Sequence, residues 1–207
     1  MKKVLGTVAT GAVLLVGIAV SLEAQAPAPA PAAASVAVAN PHYTAIPMEI
    51  TVNKPVADVW KRVGKFCDIG EWLPQLACTM QSGKDGEFGA VRSLAGGRIL
   101  EILVAKTEFS YSYAQPVRDG QPYNFYHGTL EARALTPTTT RLIYTLLLDN
   151  SMLADDAARE RDVQQRRTSF TNALMNMKIL AEGGTLPPPA PRGGGAPGGA
   201  PAGGRGN

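Results

Sequence analysis

The segment AVRSLAGGRILEILVA, residues 90–105, holds two short strand patterns separated by paired glycines. Adjacent glycines between such runs are typical of a tight β-hairpin, because glycine readily adopts the positive φ angles that a two-residue turn requires. Taking Gly96 and Gly97 as that turn places Arg92 directly opposite Glu101 on the neighbouring strand. The segment therefore predicts one hairpin of an antiparallel sheet, with a cross-strand pair of opposite charges.

Similar strand patterns occur on both sides of this hairpin. The segment YTAIPMEITV, residues 43–52, alternates apolar and other residues, which predicts a half-buried strand. Further strands are predicted at residues 76–83, 108–114, 123–135 and 141–150. With the two strands of the hairpin, the sequence predicts seven strands.

Three helical segments accompany these strands. The first begins near Pro55, and the second lies in FCDIGEWLP and must end before Pro74. The third covers about residues 155–181, starts with acidic residues that favour the positive end of a helix dipole, and would be roughly 40 Å long. The order of strand, two short helices, six strands and one long helix predicts an α+β fold with the helices on one face of the sheet.

Side-chain alternation predicts which residues face the interior. The inward positions of the last two strands are Tyr126, Gly128, Leu130, Ala132, Leu142, Tyr144, Leu146 and Leu148. Tyr111 and Tyr113 share a face of an earlier strand, and the long helix contributes Phe170, Leu174 and Met177. The small residues Gly128 and Ala132 beside two tyrosines indicate a void edged by hydroxyl groups.

The two cysteines, Cys67 and Cys78, flank a short segment with a tryptophan and a proline. No C-x-x-C motif is present, and the two histidines lie too far away in sequence to complete a zinc site of four ligands. In an oxidising compartment a disulfide is the simplest role for the pair, and it would stabilise the fold by roughly 3 kcal/mol. Two free buried thiols are the alternative.

The N-terminus predicts export. A basic MKK is followed by an apolar run, and Ala24 and Ala26 form the small-x-small pattern of a signal-peptidase site, so residues 1–26 are predicted to be a cleaved signal peptide. An uncleaved membrane anchor is the alternative, because the run approaches the length that spans a bilayer. The predicted location is therefore the periplasm or the exterior, with no stable membrane span after cleavage.

Composition divides the remaining chain into three parts. Residues 27–42 form an Ala/Pro-rich linker, residues 43–182 one domain, and residues 183–207 a Gly/Pro-rich tail that is predicted to be disordered. The formal net charge is +3 over 207 residues, without the clustered basic face of a nucleic-acid-binding protein. We therefore expect no nucleic-acid partner.

Several of these segments resemble the SRPBCC or START-like superfamily, which includes polyketide cyclase/dehydrase-like proteins and the birch-pollen-allergen fold. The matching pieces are PVADVW, GEWLP, GAVRSLAGGRILEIL, YSY, NFYHGTLEA and IYTLLLD, in that order along residues 44–182. The resemblance implies a helix-grip fold, in which a curved seven-stranded antiparallel sheet wraps around the long C-terminal helix and leaves a cavity between them. Relatives often have a histidine at the position of Leu73, so this chain lacks that acid/base group at the cavity mouth.

The resemblance implies a ligand-binding cavity, and the inward residues are the candidates to line it. The predicted lining residues are Trp72, Arg92, Glu101, Tyr111, Tyr113, Tyr126, Gly128, Leu130, Tyr144, Leu146, Phe170, Leu174 and Met177. The alternative is that these side chains simply fill a core. If Arg92 and Glu101 face inward, they would bind a carboxylate or hydroxyl group of a ligand, and if they face outward they form an ordinary surface pair.

Three functions follow from this sequence. The first is an exported protein that binds a hydrophobic or amphipathic small molecule, such as a lipid, polyketide or aromatic metabolite. The second is a cyclase or dehydratase-like lyase, in which Glu101 or a tyrosine moves protons. The third is a structural or interaction role at the cell envelope. No motif for a metal, phosphate or other cofactor is present.

Overall fold

The computed structural model describes residues 40–118 and 120–187 and contains the predicted order of helices and strands. The strands are β1 (Tyr43–Val52), β2 (Cys78–Ser82), β3 (Val91–Leu94), β4 (Ile99–Thr107), β5 (Ser110–Ala114), β6 (Asn124–Thr136) and β7 (Thr139–Asp149). The helices are α1 (Val56–Val63), α2 (Ile69–Trp72) and α3 (Asp156–Ala181), and 3₁₀ turns at Phe66–Asp68 and Pro74–Leu76 flank α2. The predicted signal peptide, linker residues up to 39 and tail residues from 188 lie outside the described residues.

All seven strands form one antiparallel sheet in the order β1-β7-β6-β5-β4-β3-β2. Strands β2 to β7 lie side by side in sequence order. Strand β1 pairs with β7 and forms the edge of the sheet opposite β2. Register shifts in β2, β4 and β6 bend their strands, because an extra residue on one strand increases its local twist. The sheet is therefore curved, and the predicted helix-grip fold is confirmed.

The central hairpin has the predicted register. Arg92 lies opposite Glu101, and Leu94 lies opposite Ile99. Both turn glycines have positive φ angles, 69° at Gly96 and 90° at Gly97, as a tight connection requires. A local sequence signal therefore determined the partners across these two strands.

The predicted inward faces of β6 and β7 are confirmed. Alternate residues from Tyr126 to Ala132 and from Leu142 to Leu148 are buried, while the residues between them are more exposed. The predicted void beside Gly128, however, is filled. A Cβ atom at Gly128 would lie 2.3 Å from the Tyr113 ring, so the tyrosine occupies the space that the glycine leaves.

The long helix α3 lies against the concave side of the sheet. The side chain of its N-cap residue Asp155 accepts a hydrogen bond of 2.7 Å from the Ala158 backbone nitrogen, which stabilises the first turn. Leu174 and Met177 are fully buried, and Phe170 is half-buried one turn nearer the N-terminus. The predicted apolar stripe of the helix is therefore its contact with the sheet.

The predicted disulfide is present between Cys67 and Cys78, with the two Cα atoms 5.6 Å apart. It connects the 3₁₀ turn before α2 to the first residue of β2. The carboxylate of Asp85 holds the same turn by accepting hydrogen bonds from the backbone nitrogens of Phe66 and Cys67, at 2.7 and 3.0 Å. The segment between the cysteines is therefore anchored at both ends.

Two findings concern membranes and metals within residues 40–118 and 120–187. No helix there combines the length and the apolar character needed to cross a lipid bilayer. Histidine, cysteine and acidic side chains of these residues do not gather in groups of three or more that would suit a metal ion.

Candidate functional site

A cavity of about 260 Å³ opens between the sheet and the middle of α3. Its walls come from the loop around α2, the β3–β4 hairpin, the β5–β6 connection and α3. The lining residues are Ile69, Leu73, Gln75, Leu76, Leu94, Ile99, Glu101, Tyr113, Gln115, Tyr123, Tyr126, Arg166, Ser169 and Phe170. Most of this surface is apolar, with a few polar side chains, which is the usual composition of a small-molecule site.

The floor of the cavity contains a buried ion pair. Glu101 lines the cavity and is 3% exposed, whereas Arg92 lies behind it and is 0% exposed. The Nε atom of Arg92 donates to Oε2 of Glu101 at 2.7 Å, and Nη2 lies 2.6 Å from the same oxygen. The pair therefore faces the interior, and the alternative of an exposed cross-strand pair is wrong.

Arg92 is held on several sides. Its Nη1 atom donates to the backbone oxygen of Phe66, and its guanidinium carbon lies 4.1 Å from the centre of the Phe66 ring and 4.8 Å from that of Tyr113. Such cation–π contacts are strongest where water is excluded. Burial by itself would lower the pKa of Arg92, but the Glu101 carboxylate raises that pKa above its usual value, so the guanidinium stays charged.

A hydrogen-bonded chain extends from Glu101 towards the cavity mouth. The Nε2 atom of Gln115 donates to Oε1 of Glu101 at 2.8 Å, and the Tyr123 hydroxyl donates to Oε1 of Gln115 at 2.8 Å. Gln115 and Tyr123 come from the connection after β5, so this connection places polar groups against a carboxylate on β4. The Glu101 carboxylate therefore accepts from two different side chains, Arg92 and Gln115.

Tyrosine hydroxyls add neutral polar groups to the interior. The hydroxyls of Tyr113 and Tyr144 share a hydrogen bond of 2.8 Å. Burial raises the pKa of Tyr111 to about 12, and it also raises the pKa of Tyr113, Tyr126 and Tyr144 above the usual value. These phenols therefore remain protonated near neutral pH and act as neutral hydrogen-bonding groups.

Arg166 and Phe170 of α3 form the mouth. The Nε atom of Arg166 donates to Oδ2 of Asp162 at 2.8 Å, and its guanidinium carbon lies 4.8 Å from the centre of the Tyr123 ring. The ring of Phe170 lies 4.7 Å from that of Tyr144. The mouth is thus formed by aromatic rings and by Arg166, whose positive charge is compensated by Asp162.

The structure divides the predicted lining residues into three groups. Glu101, Tyr113, Tyr126 and Phe170 line the cavity. The buried side chains that pack behind it are Trp72, Arg92, Gly128, Leu130, Tyr144, Leu146, Leu174 and Met177. For this second group, contact with a ligand stays a prediction, because each is already covered by neighbouring side chains.

Tyr111 instead lines a wider depression of about 610 Å³ at the other end of the sheet. This depression also contains Trp60 and Phe66, and its rim includes Lys61 and Lys106. The buried ion pair and its hydrogen-bonded chain open into the smaller cavity, which is therefore the candidate site.

Several lining residues were not predicted from the sequence. Gln115 and Tyr123 lie in a connection without periodicity, and no pattern there indicates which side chains turn inward. Arg166 had a usable signal, because it precedes Phe170 by four residues and therefore shares its face of α3.

Comparisons with known proteins agree with this architecture. Residues 44–178 match the family described as Polyketide cyclase / dehydrase and lipid transport. No curated protein matches the chain at a significant level.

Solved structures share the fold at low sequence identity. A protein from Nitrosospira multiformis is 25% identical, with a TM-score of 0.53, and the match covers 66% of this chain and 96% of that one. A protein from Thermobifida fusca is 23% identical, with a TM-score of 0.57, covering 69% and 97% of the two chains. The Zhui aromatase/cyclase from Streptomyces sp. R1128 is 18% identical, with a TM-score of 0.54, covering 70% and 100%.

Proposed function

The chain belongs to the polyketide cyclase/dehydrase and lipid transport family of the SRPBCC superfamily, and we propose that it is an exported protein that binds a small hydrophobic or amphipathic molecule between the sheet and α3. The observation that carries this proposal is the buried Arg92–Glu101 pair, whose carboxylate opens into an otherwise mostly apolar cavity. A small-molecule site typically places a few polar groups in mostly apolar surroundings, and this carboxylate supplies such a group.

The size of the cavity restricts the ligand. Its volume of about 260 Å³ lies just below the range of roughly 300–1,000 Å³ that is usual for drug-sized ligands. A molecule of one or two rings fits this space, whereas a long acyl chain would have to extend out of the mouth. An aromatic metabolite or small polyketide is therefore favoured over a lipid.

Binding is favoured over catalysis by the state of the polar groups. The Glu101 carboxylate already accepts hydrogen bonds from Arg92 and Gln115, and the raised pKa of Tyr126 keeps its phenol protonated. A proton-transfer catalyst needs a group whose pKa lies near the working pH, which a strongly raised phenol pKa does not provide.

Export is part of the proposal. It is supported by the signal-like residues 1–26 and by the disulfide, since disulfides persist mainly in oxidising compartments. N-terminal sequencing of the protein from a periplasmic fraction should give a chain that begins at Pro27. A chain that keeps residues 1–26 and sediments with membranes would support the anchor instead.

Native mass spectrometry of the exported protein tests the binding role. We expect a bound small molecule that is released on denaturation. The variant Ser169→Trp should abolish this mass, because Ser169 lines the cavity and the indole would occupy its mouth. Thr168→Trp is the matched control, since Thr168 is an exposed neighbour outside the cavity lining. An unliganded wild-type protein would instead favour an interaction role at the envelope.

A further inference from the structure

We propose that the molecule bound in this cavity presents a neutral hydroxyl group to Glu101, and that the site discriminates against carboxylates and ammonium groups. The inference rests on the proposed function, and it names the chemical class that the site selects. Its basis is the set of hydrogen-bond donors and acceptors that remain free on the cavity floor.

The donors of Arg92 do not reach the cavity. Its Nε atom donates to Oε2 of Glu101 and Nη1 donates to the backbone oxygen of Phe66, while Nη2 lies 2.6 Å from Oε2 and is buried without a hydrogen-bond partner among the described residues. The Phe66 and Tyr113 rings lie 4.1 and 4.8 Å from the guanidinium carbon, and the residue is 0% exposed. A ligand carboxylate therefore has no access to this cation.

The next donors along the floor are partly used. Gln115 directs its amide N–H at Glu101, and the Tyr123 hydroxyl directs its proton at Gln115. These groups leave for a ligand the remaining lone pairs of the Glu101 carboxylate and of the Tyr123 oxygen, and the second N–H of the Gln115 amide. The floor therefore suits a group that donates to the carboxylate and can also accept a hydrogen bond, as a hydroxyl does.

The charge balance of the floor excludes charged donors. Arg92 and Glu101 neutralise one another at 2.6 Å, so an added ammonium would remain uncompensated and would be repelled by Arg92. A carboxylate would meet Glu101 first and would be repelled in the same way. A neutral alcohol or phenol can donate to Glu101 without adding a buried charge.

The other polar groups of the cavity do not reverse this preference. The hydroxyls of Tyr126 and Ser169 and the amide of Gln75 can each donate or accept. Arg166 is paired with Asp162 at 2.8 Å and lies at the mouth, over the Tyr123 ring. The selection is thus made at the floor, and the apolar walls hold the remainder of a one- or two-ring molecule.

Calorimetric titration of the wild-type protein with four naphthalene probes tests this inference. The probes are naphthalene, 2-naphthol, 2-naphthoate and 2-naphthylmethylammonium, which share one ring system and differ in the polar group. We expect 2-naphthol to bind at least about tenfold more tightly than each of the others, because a hydrogen bond to a charged group is strong and a buried unpaired charge is costly. Ser169→Trp should remove this binding, which places it in the cavity.

A variant of the carboxylate adds a second readout. Glu101→Gln supplies an amide donor and leaves Arg92 without its counter-charge, so the preference should shift from 2-naphthol towards 2-naphthoate. Glu49→Gln is the matched control, because Glu49 is exposed on β1 and should leave the order of affinities unchanged. If Glu101→Gln does not fold, the order of the four affinities in the wild-type protein decides alone.

The outcomes separate the two proposals. Equal or tighter binding of 2-naphthoate than of 2-naphthol by the wild-type protein overturns the selection for a hydroxyl and leaves the binding role intact. Failure of all four probes, together with an unliganded protein in native mass spectrometry, overturns the binding role as well.

Discussion

At the scale of single residues, the Arg92–Glu101 pair has the largest energetic consequence. Removing one partner of a buried ion pair leaves an uncompensated charge, which typically costs about 3–5 kcal/mol. Arg92→Ala should therefore lower the free energy of unfolding by about that amount, measured by urea denaturation with tryptophan fluorescence. The double variant Arg92→Met/Glu101→Leu should recover most of this loss, because it leaves no charge behind.

An exposed pair provides the comparison for that experiment. Arg141 and Glu49 lie 3.7 Å apart with side chains that are 42% and 57% exposed. Arg141→Ala should change the stability by less than about 1 kcal/mol, as is usual for surface ion pairs. A loss of the same size at both arginines would contradict a special role for burial.

Gly128 lies where the fold leaves no room for a side chain. A Cβ atom there would lie 2.3 Å from Cζ and Oη of Tyr113, whose hydroxyl is fixed by Tyr144. Gly128→Ala should therefore destabilise the protein by about 1–3 kcal/mol through overpacking. In a Tyr113→Leu background the same substitution should cost much less, and additive losses in this double-mutant cycle would contradict the contact.

Asp68 gives the stability a pH dependence of a predictable sign. Burial raises the pKa of Asp68 to about 6, whereas an unfolded aspartate has a pKa of about 3.9. The folded state therefore binds more protons than the unfolded state between about pH 4 and 6, and stability falls as the pH rises through this window. Asp68→Asn should flatten that part of the stability curve, and Asp58→Asn, at an exposed position of α1, should not.

At the scale of elements, the disulfide supports one wall of the cavity. The loop between Cys67 and Cys78 contains α2 and four lining residues, Ile69, Leu73, Gln75 and Leu76. Its anchorage limits the positions that this wall can adopt. The disulfide therefore both stabilises the fold and restricts the shape of the candidate site.

Replacing both cysteines tests this connection. Cys67→Ser/Cys78→Ser should lower the free energy of unfolding by roughly 3 kcal/mol in the chain-entropy description of a loop of this size. Affinity for 2-naphthol should fall as well, because the wall is no longer held at its β2 end. A thiol reagent that labels Cys67 or Cys78 in the wild-type protein without reductant would show that the bridge is not formed in solution.

At the scale of the whole molecule, the cavity is closed by elements that are distant in sequence. Its lining runs from Ile69 to Phe170 and includes residues of the hairpin, the β5–β6 connection and α3. A ligand that contacts all of them binds only the folded chain. Binding should therefore stabilise the entire domain.

Thermal unfolding in the presence of a probe measures this effect. At a free 2-naphthol concentration of about 100 times Kd, the free energy of unfolding should rise by about 2.7 kcal/mol. The rise should disappear in Ser169→Trp and persist in Thr168→Trp. An equal rise in both variants would mean that the probe binds elsewhere.

Much of the architecture follows from local sequence patterns. Strand alternation identified the buried faces of β6 and β7, and the paired glycines identified Glu101 as the partner of Arg92. Both signals are local, because a period of two and a two-residue turn each determine geometry over a few residues. The helix-grip fold then follows from the order of the elements and from the family resemblance.

The candidate site itself depends on tertiary packing. By itself the sequence determined the inward faces of β6 and β7 and the register of the central hairpin, and it favoured a disulfide between the two cysteines over free thiols. Only the tertiary structure decided that Tyr113 fills the space above Gly128, that Arg92 lies behind Glu101, and that Gln115 folds back onto that carboxylate. The physical reason is that a cavity is the space left over when side chains of different lengths meet, and this remainder depends on all contacting elements at once.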